Sequence, residues 1–288
     1  EIGTPTDFLS FHAKGSPRFV DGHVRMGMAV QLKDIATGFQ KIAAVPELKG
    51  KPIVIGENDP EGCAACPGPQ NAYRNGTMYS SYTAASYKRI WQLAARHGVN
   101  LEGALTWAFT FEDQPWFAGY RQLATNGVDL PVLQVFRMYA KLGATQLRAE
   151  SSGEVPLDEL LTQGVQGRPD VGVLATRTGD GKVAVMVWHY HDDDVAGPDA
   201  AVSLQLSGLG SNRSRAVTQW RVDKTHANAF TAWQAMGSPQ APNEKQYVQL
   251  EAASVMSPTA LPALAVSGGT AAIDFSLPRQ GVTLLVIE

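Results

Sequence analysis

His12, Glu57 with Asn58 and Asp59, and Trp107 followed by Glu112 and Asp113 are the residues whose types could do chemistry together. Carboxylates serve as acid, base or nucleophile, histidine and asparagine hold hydroxyl groups, and an indole stacks on the apolar face of a pyranose. That is the composition of a sugar-cleaving site, where one ionised and one protonated carboxyl divide the work. Each group also has an ordinary structural reading. A lone histidine at a strand end is commonly a hydrogen-bonded structural group, and Glu57-Asn58-Asp59-Pro60 reads as a turn from its Asn, Asp and Pro. Trp107 could be core packing, and Glu112-Asp113 a solvated loop pair. Chemistry is favoured because all three groups fall at the ends of predicted strands.

The elements that must position them alternate. Residues 7–12 form an apolar run that stops before Gly15 and Pro17, and Ile53, Val54 and Ile55 form a second before Glu57. Both predict buried strands. Leu32, Ile35, Phe39 and Ile42 recur at helical spacing between them, while Tyr87, Ile90, Trp91 and Ala94 mark a second helix closed by His97-Gly98. A third apolar strand is expected over 101–111, then a helix with Pro131 in its first turn and Val132, Val135, Phe136 and Tyr139 on its buried face. Three successive strand–helix units imply a parallel sheet, and in βα barrels the functional groups sit at the C-terminal strand ends. From residue 144 short strands follow at 171–176, 182–190, 202–206, 216–222 and 282–287. A turn at Thr178-Gly179-Asp180-Gly181 and helical insertions near 228–236 and 244–253 complete a small all-β sandwich.

Composition bounds the rest. The 288 residues are 44% apolar and 18% charged, enough to bury a real core. Against 27 acidic side chains stand 24 basic ones, a net charge of −3 with no basic block, which argues against nucleic acid as a partner. Apolar stretches such as 283–287 fall far short of the roughly 18 residues of a membrane span. Glu1-Ile2-Gly3 opens the chain without a charged segment leading into an apolar one, so the compartment is open, with a cytoplasmic or periplasmic bacterial enzyme as the expectation. The only cysteines, Cys63 and Cys66, read as loop thiols or a local disulfide, because a structural zinc needs four ligands and no second pair exists.

Four segments carry a family resemblance: 7–13 (DFLSFHA), 52–58 (PIVIGEN), 105–113 (LTWAFTFED) and 221–230 (RVDKTHANAF). In this order they resemble glycoside hydrolase family 39, most closely its β-xylosidases. The resemblance implies an α/β fold made of the C-terminal part of a (β/α)8 TIM barrel and an accessory β-sandwich. Residues 1–143 would supply the sixth, seventh and eighth βα units and residues 144–288 the sandwich. It implies Glu57 as nucleophile, His12 as the histidine that holds a sugar hydroxyl, Glu112 or Asp113 as the acidic contact after strand eight, and Trp107 as a wall of the subsite, with Asn58 beside them. The Glu-Asn-Asp-Pro run is also similar to the family's α-L-iduronidase branch.

A retaining glycosidase needs two carboxyls about 5 to 5.5 Å apart. The family's acid/base glutamate lies in an Asn-Glu-Pro motif after strand four, and this sequence has none; Asn243-Glu244-Lys245 lies in the wrong half. A closed barrel takes about 250 residues, whereas only three units are legible before residue 144. The expectation is a β-xylosidase-like exo-glycosidase acting on xylo-oligosaccharides or another small glycoside. Its N-terminal barrel segment would be a missing partner, and the isolated chain would have little activity. The alternatives are a same-family arabinosidase or iduronidase-like hydrolase, with Lys14, Arg18 and Arg121 as candidate cations for a uronate, and a non-catalytic carbohydrate-binding fragment. No cofactor is implied, and self-association is open.

Three weaker signals complete the reading. His189-Tyr190-His191-Asp192-Asp193-Asp194 could bind a metal but reads better as a polar cluster at a solvated hairpin end. Asn75-Gly76-Thr77 and Asn212-Arg213-Ser214 match the N-glycosylation pattern. Neither a phosphate-binding glycine loop nor a Gly-x-Ser-x-Gly elbow is present.

Overall fold

In a computed structural model, which describes residues 5–210 and 213–288, the chain is a mixed α/β fold. Its elements are β1 (Leu9–Lys14), β2 (Arg18–Val20), β3 (His23–Arg25), α1 (Met28–Ala43), α2 (Pro46–Lys49), β4 (Pro52–Asp59), a 3₁₀ helix (Pro69–Asn75), α3 (Thr77–His97), β5 (Asn100–Ala104), β6 (Ala124–Thr125), β7 (Val128–Asp129) and α4 (Pro131–Tyr139). There follow β8 (Thr145–Leu147), α5 (Leu157–Gln163), β9 (Asp170–Arg177), β10 (Val183–Tyr190), β11 (Ala200–Leu206), β12 (Arg215–Val222), α6 (Ala229–Ala235), α7 (Glu244–Ser254), β13 (Thr259–Leu264), β14 (Ala271–Leu277) and β15 (Val282–Ile287). Asn212, and with it the second glycosylation pattern, lies outside the described residues.

β4 lies between β1 and β5 in a parallel three-stranded sheet, with Ile53 and Ile55 fully buried. The β1–β4 register slips between Phe11 and His12: Leu9 to Phe11 face Ile53 to Ile55, but His12 faces Glu57 and Lys14 faces Asp59. Such an irregularity re-aims side chains at a strand end. The third strand is shorter than the sequence predicts and stops at Ala104. Leu105 still bridges to β4, its amide donating to the Ile55 carbonyl at 2.9 Å and its carbonyl accepting from the Asn58 amide at 2.7 Å. The chain then leaves the sheet because Trp107 N turns to the Asp59 carboxylate and Phe109 N to the Arg121 carbonyl.

α1 buries Met28, Leu32, Ile35 and Phe39, one stripe at helical spacing. α3 ends at Gly98, whose φ of 62° suits a residue without Cβ. It is longer than its predicted stripe and buried on most of its surface, because it packs against α1 and α4 and also against β5, β9, β10 and β15. Ser80, Ala84, Ala85 and Ser86 keep that approach close.

The antiparallel sheet runs β13-β12-β15-β10-β9-β8. Alternation along β10 sends Met186, Trp188 and Tyr190 into the core shared with α3, and Val185 and Val187 into a second core with the β11–β14 ribbon. All five strands expected in this half form, as do both helical insertions. β8, β13 and β14 were not anticipated: β8 has three residues, and β13 is an edge strand carrying Pro262.

Candidate active site

The ends of β1 and β4 place His12, Lys14, Glu57 and Asp59 side by side. Glu57 Oε1 lies 3.4 Å from His12 Nδ1, and Glu57 Oε2 lies 2.7 Å from Lys14 Nζ. The Lys14 ammonium also donates to Asp59 Oδ2 at 2.7 Å. Glu57 is 8% exposed, whereas the His12 side chain is largely open. Lys14 thus pairs with one oxygen of Glu57, while the His12 ring lies beside the other.

Asp59 is fully buried and takes no part at the surface. Its Oδ1 accepts from Thr106 Oγ1 at 2.6 Å and from Trp107 N at 3.1 Å, and its Oδ2 pairs with Arg121 at 2.5 Å. Arg121, 1% exposed, also donates to both Glu61 oxygens and to the Trp107 carbonyl at 3.1 Å. Arg74 closes the network on Glu61 at 2.7 Å. Burial alone would push the Glu61 carboxyl up, but Arg74 and Arg121 outweigh it and hold it below its ordinary value. Tyr79, whose hydroxyl reaches Thr106 at 3.2 Å, is held protonated by burial and by the Asp59 charge. Three cations, Lys14, Arg74 and Arg121, therefore face three carboxylates, Glu57, Asp59 and Glu61.

Cys63 and Cys66 form a disulfide, with Cα atoms 5.4 Å apart. Its loop caps this network: Cys63 N donates to Glu61 Oε2 at 2.8 Å, and Arg74 donates to the Cys63 and Cys66 carbonyls.

The sequence-predicted residues fall in three places. His12 and Glu57 lie side by side, and Trp107, half exposed, is tied to Glu57 through Asp59 and Lys14. Asn58 is buried, with its side-chain carbonyl accepting from Gln31 of α1 at 3.0 Å. Glu112 and Asp113 make no hydrogen bond or ion pair with Glu57 among the described residues; they line a cavity of about 620 Å³ further along the loop. Of the three cations considered for a uronate, Arg121 is committed to the buried network and Arg18 lies exposed on β2. Lys14 reaches the site. Sequence reasoning missed Lys14 as a partner of Glu57, and Arg74, Glu61 and Thr106 altogether. The signal was period-two alternation, which puts Lys14 two residues after His12 and Asp59 two after Glu57.

Two of the weaker signals are corrected. His189, His191 and Asp192 are buried rather than solvated: His189 Nδ1 meets the Leu277 carbonyl at 2.9 Å, and Asp192 accepts from Tyr190 and from Val165 N. Asp193 pairs with Arg25 of β3, so the run is a seam between the β2–β3 hairpin and the antiparallel sheet. Asn75 is buried as well, its amide donating to the Phe117 carbonyl at 2.8 Å, and offers no accessible glycosylation site.

The sequence and the fold also match known proteins. Residues 2–268 match the family model described as glycosyl hydrolases family 39. An α-L-iduronidase of Mus musculus is 26% identical over 273 residues, covering 86% of this chain and 40% of the relative. Among solved structures, the bacterial orthologue of human α-L-iduronidase superposes with a TM-score of 0.75 at 20% identity over 98% of this chain and 49% of that one. A monomeric β-xylosidase from Caulobacter crescentus CB15 gives 0.74 at 20% identity over 99% and 56%. The chain spans about half the length of these relatives or less. No helix among the described residues is long and apolar enough to cross a membrane.

Proposed function

The chain belongs to glycosyl hydrolase family 39, and from that premise we propose that it carries the nucleophile half of a retaining exo-glycosidase acting on β-linked xylose. The observation that supports this most directly is the placement of Glu57 at the C-terminal end of a central parallel strand, with one oxygen paired with Lys14 and the His12 ring beside the other. Ionised Glu57 attacks the anomeric carbon, the bond to the leaving oxygen breaks, and water then releases the sugar from the enzyme. His12, the open partner, holds a sugar hydroxyl, Trp107 walls the ring, Asn58 braces β4, and Glu112 and Asp113 are substrate contacts along the loop beyond.

The acid that protonates the leaving oxygen has to come from elsewhere. Asp59 is fully buried and Glu61 is locked between two arginines, so neither carboxyl beside Glu57 can give a proton to a substrate. We assign the acid/base to an upstream barrel segment. On this reading residues 1–143 are the last three units of a (β/α)8 barrel and residues 144–288 an accessory β-sandwich.

A neutral sugar fits the charge balance, since each cation beside Glu57 is already paired with a carboxylate. One observation favours a second reading, a uronide: the Lys14 side chain is 21% exposed, and an ammonium has three donors of which two are used. The deciding experiment treats the full-length protein with a 2-fluoro xyloside inactivator and maps the label. Labelling of the peptide that holds Glu57 is expected, and labelling elsewhere overturns the assignment. Turnover of matched xyloside, arabinoside and iduronide separates the sugars.

A further inference from the structure

The disulfide in the loop that leaves β4 takes no part in the reaction at Glu57, yet the turn it closes is tied to that carboxylate. Cys63 and Cys66 are three positions apart, and the carbonyls of the turn converge on Arg74. The Cys63 carbonyl accepts from Arg74 at 2.6 Å, and those of Ala64 and Cys66 at 3.3 and 3.2 Å. Ala64 also accepts from Arg121 N at 2.9 Å, and Cys63 N donates to Glu61 at 2.8 Å. One turn therefore holds two arginines and the carboxylate between them. From there the contacts run unbroken to the active site. Arg74 and Arg121 share Glu61 Oε1 at 2.7 and 3.1 Å, Arg121 pairs with Asp59 Oδ2 at 2.5 Å, and Lys14 joins Asp59 to Glu57.

Little besides the covalent bond fixes this turn. No residue from 62 to 68 belongs to the apolar core, and Gly62, Cys63, Ala65 and Pro67 are exposed. The backbone contact across the turn, Cys66 N to the Cys63 carbonyl, is long at 3.5 Å. Asn71 holds the far end through the Cys66 carbonyl at 2.6 Å. A segment with so few apolar contacts opens at low cost once its cross-link is cut. Arg74 is fully buried, so each carbonyl that turns away leaves part of its guanidinium without a partner. The arginine then re-seats on Glu61, and Arg121, which shares that carboxylate, moves on Asp59.

We propose that the Cys63–Cys66 disulfide is a redox-dependent positioning element for Glu57, which aligns the carboxylate while oxidised and slackens it when a dithiol reduces the bond. This rests on the reading of Glu57 as nucleophile given above. Cys63 is the more exposed of the pair, so its sulfur is the one attacked. A thiolate of the dithiol bonds to Cys63 as the S–S bond breaks, and Cys66 leaves as a thiolate and takes up a proton. The second thiolate displaces Cys63, which is protonated in turn, and the dithiol departs as a cyclic disulfide. Two electrons and two protons have then passed to the chain.

The test compares the full-length protein, oxidised and after dithiothreitol, with its Cys63→Ser/Cys66→Ser variant on a β-D-xyloside. Reduction is verified by the mass added when iodoacetamide alkylates both thiols, and folding by circular dichroism. In the folded, reduced protein kcat is expected to fall about tenfold with KM changed less than about twofold, as misplacement of a reacting group predicts. Oxidised glutathione is expected to restore it, and the variant to stay at the low rate with or without dithiothreitol. Hydrogen exchange is expected to quicken on reduction in the peptides holding Glu57 and Arg121. Unchanged turnover with both thiols alkylated overturns the proposal, as does a disulfide that dithiothreitol leaves intact in the folded protein, or a variant that keeps the oxidised rate or still responds to the reductant. If the oxidised protein turns over no xyloside, arabinoside or iduronide, the glycosidase reading fails by itself. Exchange that stays the same on reduction then overturns the positioning role independently.

Discussion

Lys14 Nζ lies 2.7 Å from Glu57 Oε2 and the same distance from Asp59 Oδ2, so one ammonium holds apart two carboxylates that β4 would otherwise set together. Glu57 stays slightly exposed, whereas Asp59 is fully buried against Arg121. The lysine thus joins the reacting group to a network that reaches Glu61, Arg74 and the disulfide loop.

Replacing Lys14 with Met leaves the two carboxylates facing each other and frees Glu57 to rotate. The expected cost is about 1–3 kcal/mol of stability, and in the full-length protein a drop of about 10–100-fold in kcat/KM from the misplaced nucleophile. Urea unfolding and steady-state kinetics on a xyloside measure the two effects. Turnover within about twofold of the original would show that His12 alone fixes Glu57.

Arg121 is the other hinge of this arrangement, binding Asp59, Glu61 and the Trp107 carbonyl while 1% exposed. Arg121→Met leaves buried Asp59 with Lys14 alone and Glu61 with Arg74 alone as cationic partners, and the expected loss is about 3 kcal/mol. Arg121→Lys is expected to recover little, because a point charge cannot replace a fork that spans three groups. A urea midpoint for either variant close to that of the parent would contradict the network's role.

What the sequence showed and what it hid divide along contact distance. Leu32, Ile35 and Phe39 announce α1 because helical periodicity is local, and Ile53 to Ile55 announce β4 for the same reason. The register slip that brings His12 opposite Glu57 depends on how two strands meet and leaves no trace in either one. Lys14 and Asp59 are 45 residues apart, and Arg121 and Glu61 are 60 apart, so no spacing rule joins them. The acidic run 192–194 read as solvated because charge runs usually are; in the fold its demands are met by Tyr190 two residues earlier and by Val165 and Arg25 from distant segments. Pro262 hid β13 by an edge-strand exception to the rule that proline breaks strands.

Gly172 tests the tightness of the seam between α3 and the antiparallel sheet. A Cβ at this position would overlap the Trp188 indole. Trp188 cannot retreat: it is fully buried and its Nε1 donates to Asp170 Oδ2 at 2.9 Å, while Asp170 Oδ1 accepts from Arg89 at 2.8 Å and Val155 N at 2.7 Å. Gly172→Ala is expected to cost about 1–3 kcal/mol by overpacking. Thermal unfolding checks it, and an unchanged Tm would mean that the indole has room to move.

Asp192 gives the stability a pH dependence of unusual sign for a carboxylate. Burial pushes its carboxyl from 3.8 up to about 6, against the opposing hydrogen bonds from Tyr190 and Val165 N. Between those two values the folded chain keeps a proton that the unfolded chain has released, so stability falls as pH rises through this window. A shift of about two units corresponds to about 3 kcal/mol, absent below pH about 4 and complete above about 6. Glu61, Asp193 and Asp223 are shifted downward and act in the opposite sense, so the Asp192 contribution has to be isolated by difference. Asp192→Asn stays neutral throughout and loses one of the two hydrogen bonds at every pH. The stability of the unaltered chain relative to this variant is therefore expected to decline by about 3 kcal/mol between pH 4 and pH 7, measured by urea unfolding at closely spaced pH values. Two parallel profiles would show that Asp192 ionises in the folded chain as readily as in the unfolded one, and that the seam tolerates its charge.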